Sequence, residues 1–221
     1  IIKGGDSKTS RGLGAKVYDS STSDRTKAEL FVVEGKSAAG TLLQCRDTRI
    51  HAVLPLRGKP INSSAIDIKA VLDNEEMRSF INVIGAGIDP LIEIKKARYG
   101  KVILLADADP DGKSINALLL GTAGTYLMPL IQAGMIYVSQ VPLYKQAGKF
   151  IWDKADLEEG KPFKRFKGLG EMNPDELQET AVDPSTRRLI RVTEEDAVKA
   201  FALLRTTSAK YKLMLKHGII A

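Results

Sequence analysis

A single cysteine, Cys45, stands among 221 residues. That excludes an internal disulfide, and it excludes a metal cluster built from thiolates of this chain alone. A lone thiol of this kind reads as a small core residue. The chain opens IIKGGDSKTS, with neither an initiator methionine nor a long apolar leader. No signal peptide is therefore expected, and the missing methionine suggests a piece of a longer polypeptide. Charge is absent from one long run: Ser114 to Tyr144, 31 residues, holds no charged side chain and no histidine. A membrane-spanning helix needs roughly 20 mostly apolar residues, but Asn116, Gly121, Thr122, Gly124, Thr125, Pro129, Gln132 and Gly134 interrupt this run. Its second half, MIYVSQVPLY, has the Val, Ile and Tyr content of a strand. A buried helix followed by a buried strand is the expectation, with no membrane partner. No internal repeat and no low-complexity tract is present.

The composition is that of a chain able to bury a core, with 43% hydrophobic and 27% charged residues. The length suits one large domain or one and a half. Lys and Arg total 33 against 27 Asp and Glu, which gives +6 and a pI near 9.3. That excess favours a polyanionic partner over an acidic one.

Along the chain, residues 1–28 are rich in Gly, Ser, Thr, Lys and Asp and read as an extended or loosely ordered arm. ELFVV (29–33) predicts a strand with the helix SAAGTLLQC behind it, and HAVLPL (51–56) a second strand closed by the turn RGKPIN. Helical patterns follow in IDIKAVLDN and in NEEMRSFINVIG, where Asn74 is placed to cap. KVILLADAD (101–109) is a near-continuous apolar run ending in carboxylates, read as the third strand. Strands that alternate with helices and are apolar on both faces predict an α/β fold, a parallel sheet with helices on both faces. In such sheets the working residues sit at the carboxyl ends of strands, where Glu34, Asp107 and Asp109 are expected. From Tyr144 the composition turns polar, Gly-rich and basic, with Lys161, Lys164, Arg165 and Lys167 close together. NPDELQETAV, with Pro174 after Asn173, and TEEDAVKAFALLR, capped by Thr193, predict helices. Residues 29–144 are thus expected as the main domain, and 145–221 as a smaller, mostly helical tail packed against it.

Two Gly-Lys-Ser tripeptides, in EGKSAAG (34–40) and DADPDGKS (107–114), suggest phosphate loops. The motif G-x-x-x-x-G-K-[ST] needs a first glycine that lets the loop curl its amides around phosphate. That position is Leu30 in one case and Asp107 in the other, so both fail. A calcium loop starting at Asp107 fails too, since its twelfth position is Leu118 rather than a bidentate Glu. What remains is a carboxylate cluster. Asp107, Asp109 and Asp111 at alternate positions repel one another without a counter-charge. A solvated acidic turn capping the next helix is the plain explanation. A hard cation such as Mg²⁺ explains the cluster better, especially if Glu34 converges on it. In a basic chain that combination points to phosphate chemistry.

Several segments, in order, resemble one family. ELFVVEGKSAAG resembles the strand and Glu-bearing loop of the TOPRIM (Rossmann-like) domain of type IIA DNA topoisomerases, VLPLRGKPIN the segment after it, and DADPDG its D-x-D-x-D-G. LIQAGMIYVSQVPLYK and RFKGLGEMNPDELQETAVDPSTRRLIRV resemble the B-subunit tail of the bacterial gyrase and topoisomerase IV family, and LGAKVYDSSTSDRTKAELF the join to a preceding transducer domain. The resemblance implies that Glu34, Asp107 and Asp109 are catalytic and that these three with Asp111 bind Mg²⁺, for which Mn²⁺ or Ca²⁺ can substitute in binding. Glu34 is the candidate for acid–base work at a DNA 3′-oxygen. Lys36, Arg57, Lys59, Lys113, Arg165 and Lys167 are implied as DNA contacts. The implied partners are DNA and a topoisomerase A subunit carrying the catalytic tyrosine, in a parent A2B2 complex of the cytoplasm and nucleoid. ATP would be bound only by an N-terminal domain that this chain does not contain.

Departures from the family pattern stand beside it. Lys36 replaces the acidic residue of E-G-D-S-A, Ala39 replaces a glycine, and Ser114 and Asn116 replace the His and Arg of D-G-x-H-I-R. These changes place a cation beside the expected metal and remove two phosphate-contacting groups. A stand-alone TOPRIM nuclease or primase-like enzyme and a catalytically weakened docking module are the alternatives. A haloacid-dehalogenase-like phosphatase would need Thr or Val where Asp111 stands.

Overall fold

The computed structural model describes residues 17–205. The first sixteen residues of the arm and the end of the tail lie outside them.

Strand β1 (Glu29–Glu34) leads into helix α1 (Gly35–Cys45), and β2 (His51–Leu56) returns beside β1. Two short helices follow, α2 (Ile68–Asp73) and α3 (Glu75–Ile84), then β3 (Lys101–Leu105) and the long α4 (Pro110–Tyr126). The one-turn α5 (Met128–Gln132) delivers β4 (Ile136–Gln140). Strands β2-β1-β3-β4 lie parallel in that spatial order. Alternation along each strand serves two cores at once. Leu30, Val32, Val102 and Leu104 face the layer of α3 and α4, while Phe31, Val33, Ile103 and Leu105 face α1. A parallel sheet buried on both faces needs such continuous apolar runs.

Local chemistry sets the helix ends. Asn74 accepts from the Met77 amide at 3.0 Å, Glu75 and Glu76 fill the first turn of α3, and Gly85 closes it at φ 76°. The carboxylate-bearing run KVILLADAD is shorter as a strand than expected. β3 stops at Leu105, and Asp109 is already the N-cap of α4, accepting from the Gly112 amide at 2.8 Å, with Pro110 at the first helical position.

The tail is more mixed than its helical patterns suggest. A small antiparallel sheet, β5 (Tyr144–Gln146), β6 (Lys149–Ile151) and β7 (Phe163–Arg165), precedes α6 (Pro174–Leu177), which runs on into a π-helical turn at Gln178–Val182. Strand β8 (Arg188–Arg191) then pairs antiparallel with β4, so the tail completes the main sheet as a fifth strand. Helix α7 (Glu194–Arg205) lies across α4. A β-carbon on Gly124 would stand 3.0 Å from that of Ala197, and one on Gly121 would stand 2.5 Å from Leu204. Helix α4 is therefore covered by the sheet on one side and α7 on the other, which accounts for the absence of charge from Ser114 onward. No helix among the described residues is long and apolar enough to cross a membrane.

The described part of the arm is ordered against the sheet. Tyr18 forms an antiparallel bridge to Val53 on the edge strand β2, Val17 is fully buried, and Asp19 accepts from Tyr99 at 3.0 Å and pairs with Arg98. Covering an exposed strand edge in this way blocks edge-to-edge pairing.

Candidate metal and DNA site

Two strand ends present the acidic residues. Glu34 closes β1 and is the N-cap of α1, and Asp107 follows β3 by two residues. Burial raises the Glu34 carboxyl above its ordinary range, and the fields of Asp107, Asp109 and Asp111 raise it further, against a smaller lowering by Lys59. Asp107 is also raised. Burial dominates, the Leu169 amide works the other way, and Asp109 and Glu171 add repulsion. Four acidic groups thus share one electrostatic neighbourhood, and each ionised member disfavours the next.

The backbone around Asp107 is crowded. A β-carbon on Gly112 would fall 2.1 Å from the Asp107 carbonyl oxygen, and one on Gly168 would fall 2.6 Å from Asp107 Oδ2. The Leu169 amide donates to Asp107 Oδ1 at 2.7 Å. The Gly168–Leu169 turn therefore belongs to the tail but fixes a side chain of the main domain. The turn is held in its own right, since Glu171 accepts from the Lys167 amide at 2.8 Å. Sequence reasoning places KGLGEM near DNA through Lys167 and misses its grip on Asp107. The two glycines are the available signal, because they mark close backbone approach.

The plain capping role is real for Asp109, which spends Oδ1 on the Gly112 amide. Asp111 is mostly exposed and meets Lys59 at 3.2 Å. Among the described residues, no group of three or more His, Cys, Asp or Glu side chains is close enough to hold a metal ion unaided. Mg²⁺ does not require such a cage. It keeps several waters and is held by one or two carboxylates together with substrate phosphates. The all-oxygen donor set and the mutual repulsion at Glu34 suit that kind of ion.

Of the six cations expected at DNA, Lys59 is the one bound to the carboxylate cluster. Lys36 and Arg57 line a cavity of about 520 Å³ together with Tyr18, Leu43 and Pro55, between α1 and the end of β2. The cation expected beside the acidic cluster is Lys36, whereas the ion pair to the cluster is made by Lys59, and Lys36 lines the cavity with Arg57. Arg57 is otherwise engaged with α3, its amide donating to Glu76 at 3.0 Å. Lys113 is exposed at the start of α4. Arg165 and Lys167 are exposed and carry no ion pair among the described residues, whereas Lys164 pairs with Glu176 at 3.1 Å. Of these cations, Lys59 alone is paired with the acidic cluster among the described residues.

A mostly parallel sheet of this order with carboxylates at the ends of β1 and β3 defines an α/β domain of Rossmann-like class. Residues 29–141 match the Toprim domain family, and the chain belongs to it. Residues 158–212 match the family of the DNA gyrase B carboxyl terminus. The chain is 43% identical over 201 residues to the DNA gyrase B protein of Halalkalibacterium halodurans, covering 85% of this chain and 32% of that protein. It is 42% identical over 203 residues to the DNA topoisomerase 4 B protein of Streptococcus pneumoniae, covering 85% of this chain and 31% of that protein. With the DNA gyrase B protein of Archaeoglobus fulgidus it shares 44% identity over 198 residues, 85% of this chain and 31% of that protein. The chain spans about a third of the length of these relatives.

Proposed function

We propose that this chain is the metal-binding half of a type IIA topoisomerase cleavage and religation centre. The observation that carries the reading is the shared field of Glu34, Asp107, Asp109 and Asp111 at the ends of β1 and β3, with Lys59 paired to Asp111. Bound Mg²⁺ would supply charge neutralisation at the scissile phosphate and at the 3′-oxygen. Asp107 would be its principal protein ligand, because the Leu169 amide orients its carboxylate through Oδ1. Glu34, whose carboxyl is raised by burial and by the neighbouring aspartates, is the candidate to hold and return a proton at the 3′-oxygen. Asp109 serves the site chiefly by fixing the start of α4, and Asp111 exchanges Lys59 for the ion. Lys36, Arg57, Lys59, Lys113, Arg165 and Lys167 would meet the DNA backbone, giving sequence-tolerant and salt-sensitive contacts.

In this reading a tyrosine on a partner A subunit attacks the phosphodiester, leaving a 5′-phosphotyrosyl end and a free 3′-hydroxyl. The parent assembly is A2B2, ATP is consumed in another domain of the parent B polypeptide, and the setting is the cytoplasm with its nucleoid. The main domain (29–144) and the tail (145–221) act as one catalytic unit, since the tail grips Asp107.

DNA cleavage by the parent B polypeptide reconstituted with its A subunit tests this, with wild type and Asp107→Ala compared across a Mg²⁺ titration. Metal-dependent double-strand breaks with protein-linked 5′ ends are expected in wild type. The substitution should cost at least about a hundredfold in rate. Nicking by the 221-residue chain alone would instead make it a stand-alone nuclease, and equal cleavage by both proteins would remove Asp107 from the site.

A further inference from the structure

A second cavity, of about 280 Å³, opens where β3 and β4 end. Carboxyl ends of strands are where open α/β sheets bind ligands. Asp107 lines the cavity too, and its polar lining contains two further atoms that the fold does not satisfy. Ser139 is only 6% exposed, and its Oγ has no hydrogen-bond partner among the described residues. Asn116 Oδ1, on the facing side of α4, is likewise buried and unpartnered. Buried polar atoms are almost always paired, and each orphan costs about 1–3 kcal/mol. Two orphans lining one cavity therefore point to an occupant.

The remaining lining gives that occupant its chemistry. Val141, Leu143 and Ile190 form an apolar wall, Trp152 stands beside them, and Lys113 lines the same cavity. The volume falls just below the roughly 300–1,000 Å³ of drug-sized sites, so it admits a small planar ring and not a large ligand. Asn116 requires a donor for Oδ1 and offers its own amide hydrogens alongside. An asparagine amide pairs in this bidentate way with a nucleobase edge that carries adjacent donor and acceptor atoms. Ser139 adds a hydroxyl that serves either partner type. Lys113 is a cation suited to a phosphate attached to the ring. Asn116 stands where the family pattern has arginine, and the shorter side chain leaves room for a ligand.

We propose that the cavity between the ends of β3 and β4 is a nucleobase-binding site, in which Asn116 and Ser139 recognise the base edge and Lys113 meets an attached phosphate. The base could come from a free nucleotide or from an unpaired strand end of DNA. The cavity shares Asp107 and Lys113 with the proposed cleavage site and adds a base pocket beside it, and because the readout below involves no cleavage, either reading can fail alone.

Trp152 is the only tryptophan of the chain, so its indole N–H gives one resonance in a proton–nitrogen correlation spectrum. That hydrogen bonds to the Gln140 carbonyl at 3.0 Å, and Arg188 lies over the ring at 3.6 Å, which fixes the reporter in place. The 221-residue chain is titrated with adenosine 5′-monophosphate, with a short single-stranded oligonucleotide, and with ribose 5-phosphate. A saturable shift of the indole resonance is expected with the mononucleotide or the oligonucleotide. A response to the oligonucleotide alone would assign the base to DNA. Ribose 5-phosphate should bind at least about tenfold more weakly, and Asn116→Leu should weaken the base ligands by a similar factor. Ser139→Ala, a minimal change that keeps the fold if Asn116→Leu does not, should weaken them several-fold. No saturable shift with either base ligand would overturn the proposal. So would equal binding of ribose 5-phosphate, or affinities that neither substitution alters.

Discussion

Arg187→Leu is expected to lower the unfolding free energy by about 3–5 kcal/mol, the cost of removing one member of a buried ion pair. Arg187 and Glu29 are almost fully buried and bonded through both guanidinium nitrogens, at 2.5 and 2.8 Å. Lys101 adds a third contact to Glu29 at 2.8 Å, and His51 Nε2 stands 3.4 Å away without completing a hydrogen bond. The cluster joins the tail to the starts of β1, β2 and β3, the end of the sheet opposite the carboxylates. Burial alone would raise the Glu29 carboxyl, but Arg187, with His51 and Lys101, holds it well below its ordinary range. A carboxyl depressed in the folded state contributes stability that is present above its unfolded pKa of about 4.5 and is lost as pH falls. Urea titrations should therefore show the wild-type chain weakening below that pH. The Arg187→Leu variant should be weak at neutral pH and lose less on acidification. A variant as stable as wild type at neutral pH would mean the cluster does not hold the tail to the sheet.

Gly112→Ala is the second large effect. The added β-carbon would meet the Asp107 carbonyl oxygen at 2.1 Å and the Asp107 amide nitrogen at 2.7 Å, both backbone atoms that cannot swing aside. Overpacking of this kind typically costs 1–3 kcal/mol, and the upper end, about 3 kcal/mol, is expected here. The strain falls on Asp107 itself, so a hard-cation site should lose affinity beyond any loss of stability. Gly40→Ala is the internal control. It lies in α1 with nothing within 4 Å of the added carbon, and should be neutral or stabilising by up to about 1 kcal/mol. Thermal melts of the two variants, with and without Mg²⁺, separate these outcomes. Equal behaviour would contradict the close approach of the α4 N-terminus to Asp107.

Much of this is legible in the sequence because the relevant physics is local. The alternation of ELFVV and KVILL between two apolar faces, the Asn74 and Asn173 caps, and the strand HAVLPL all follow from short-range patterns. The end of β3 is misplaced by sequence alone because apolar Ala106 and Ala108 continue the strand's composition, while Pro110 and the capping role of Asp109 have already begun the helix. The tail strands are harder to see. Segments such as YKQ, KFI and FKR are three residues long and half polar, and RLIR becomes a strand only because β4 offers it an open edge. For the site, the carboxylates stand out by type and spacing. The Leu169 amide on Asp107, the Glu29–Arg187 pair and the two unpartnered groups at Asn116 and Ser139 depend on contacts between distant parts of the chain. No spacing rule predicts those.

The proposed function stands or falls on whether Glu34, Asp107 and their neighbours form a site for a hard divalent cation. Paramagnetic resonance of Mn²⁺ titrated into the 221-residue chain, wild type against Asp107→Asn, tests it most directly. Both carboxyls are raised in the folded chain, so protons compete with the cation, and affinity should fall as pH is lowered through their range. The predicted result is one Mg²⁺-displaceable class of Mn²⁺ sites, weakened at least about tenfold by Asp107→Asn and lost on acidification. Mn²⁺ binding of equal strength in both proteins, or none displaceable by Mg²⁺, would contradict it.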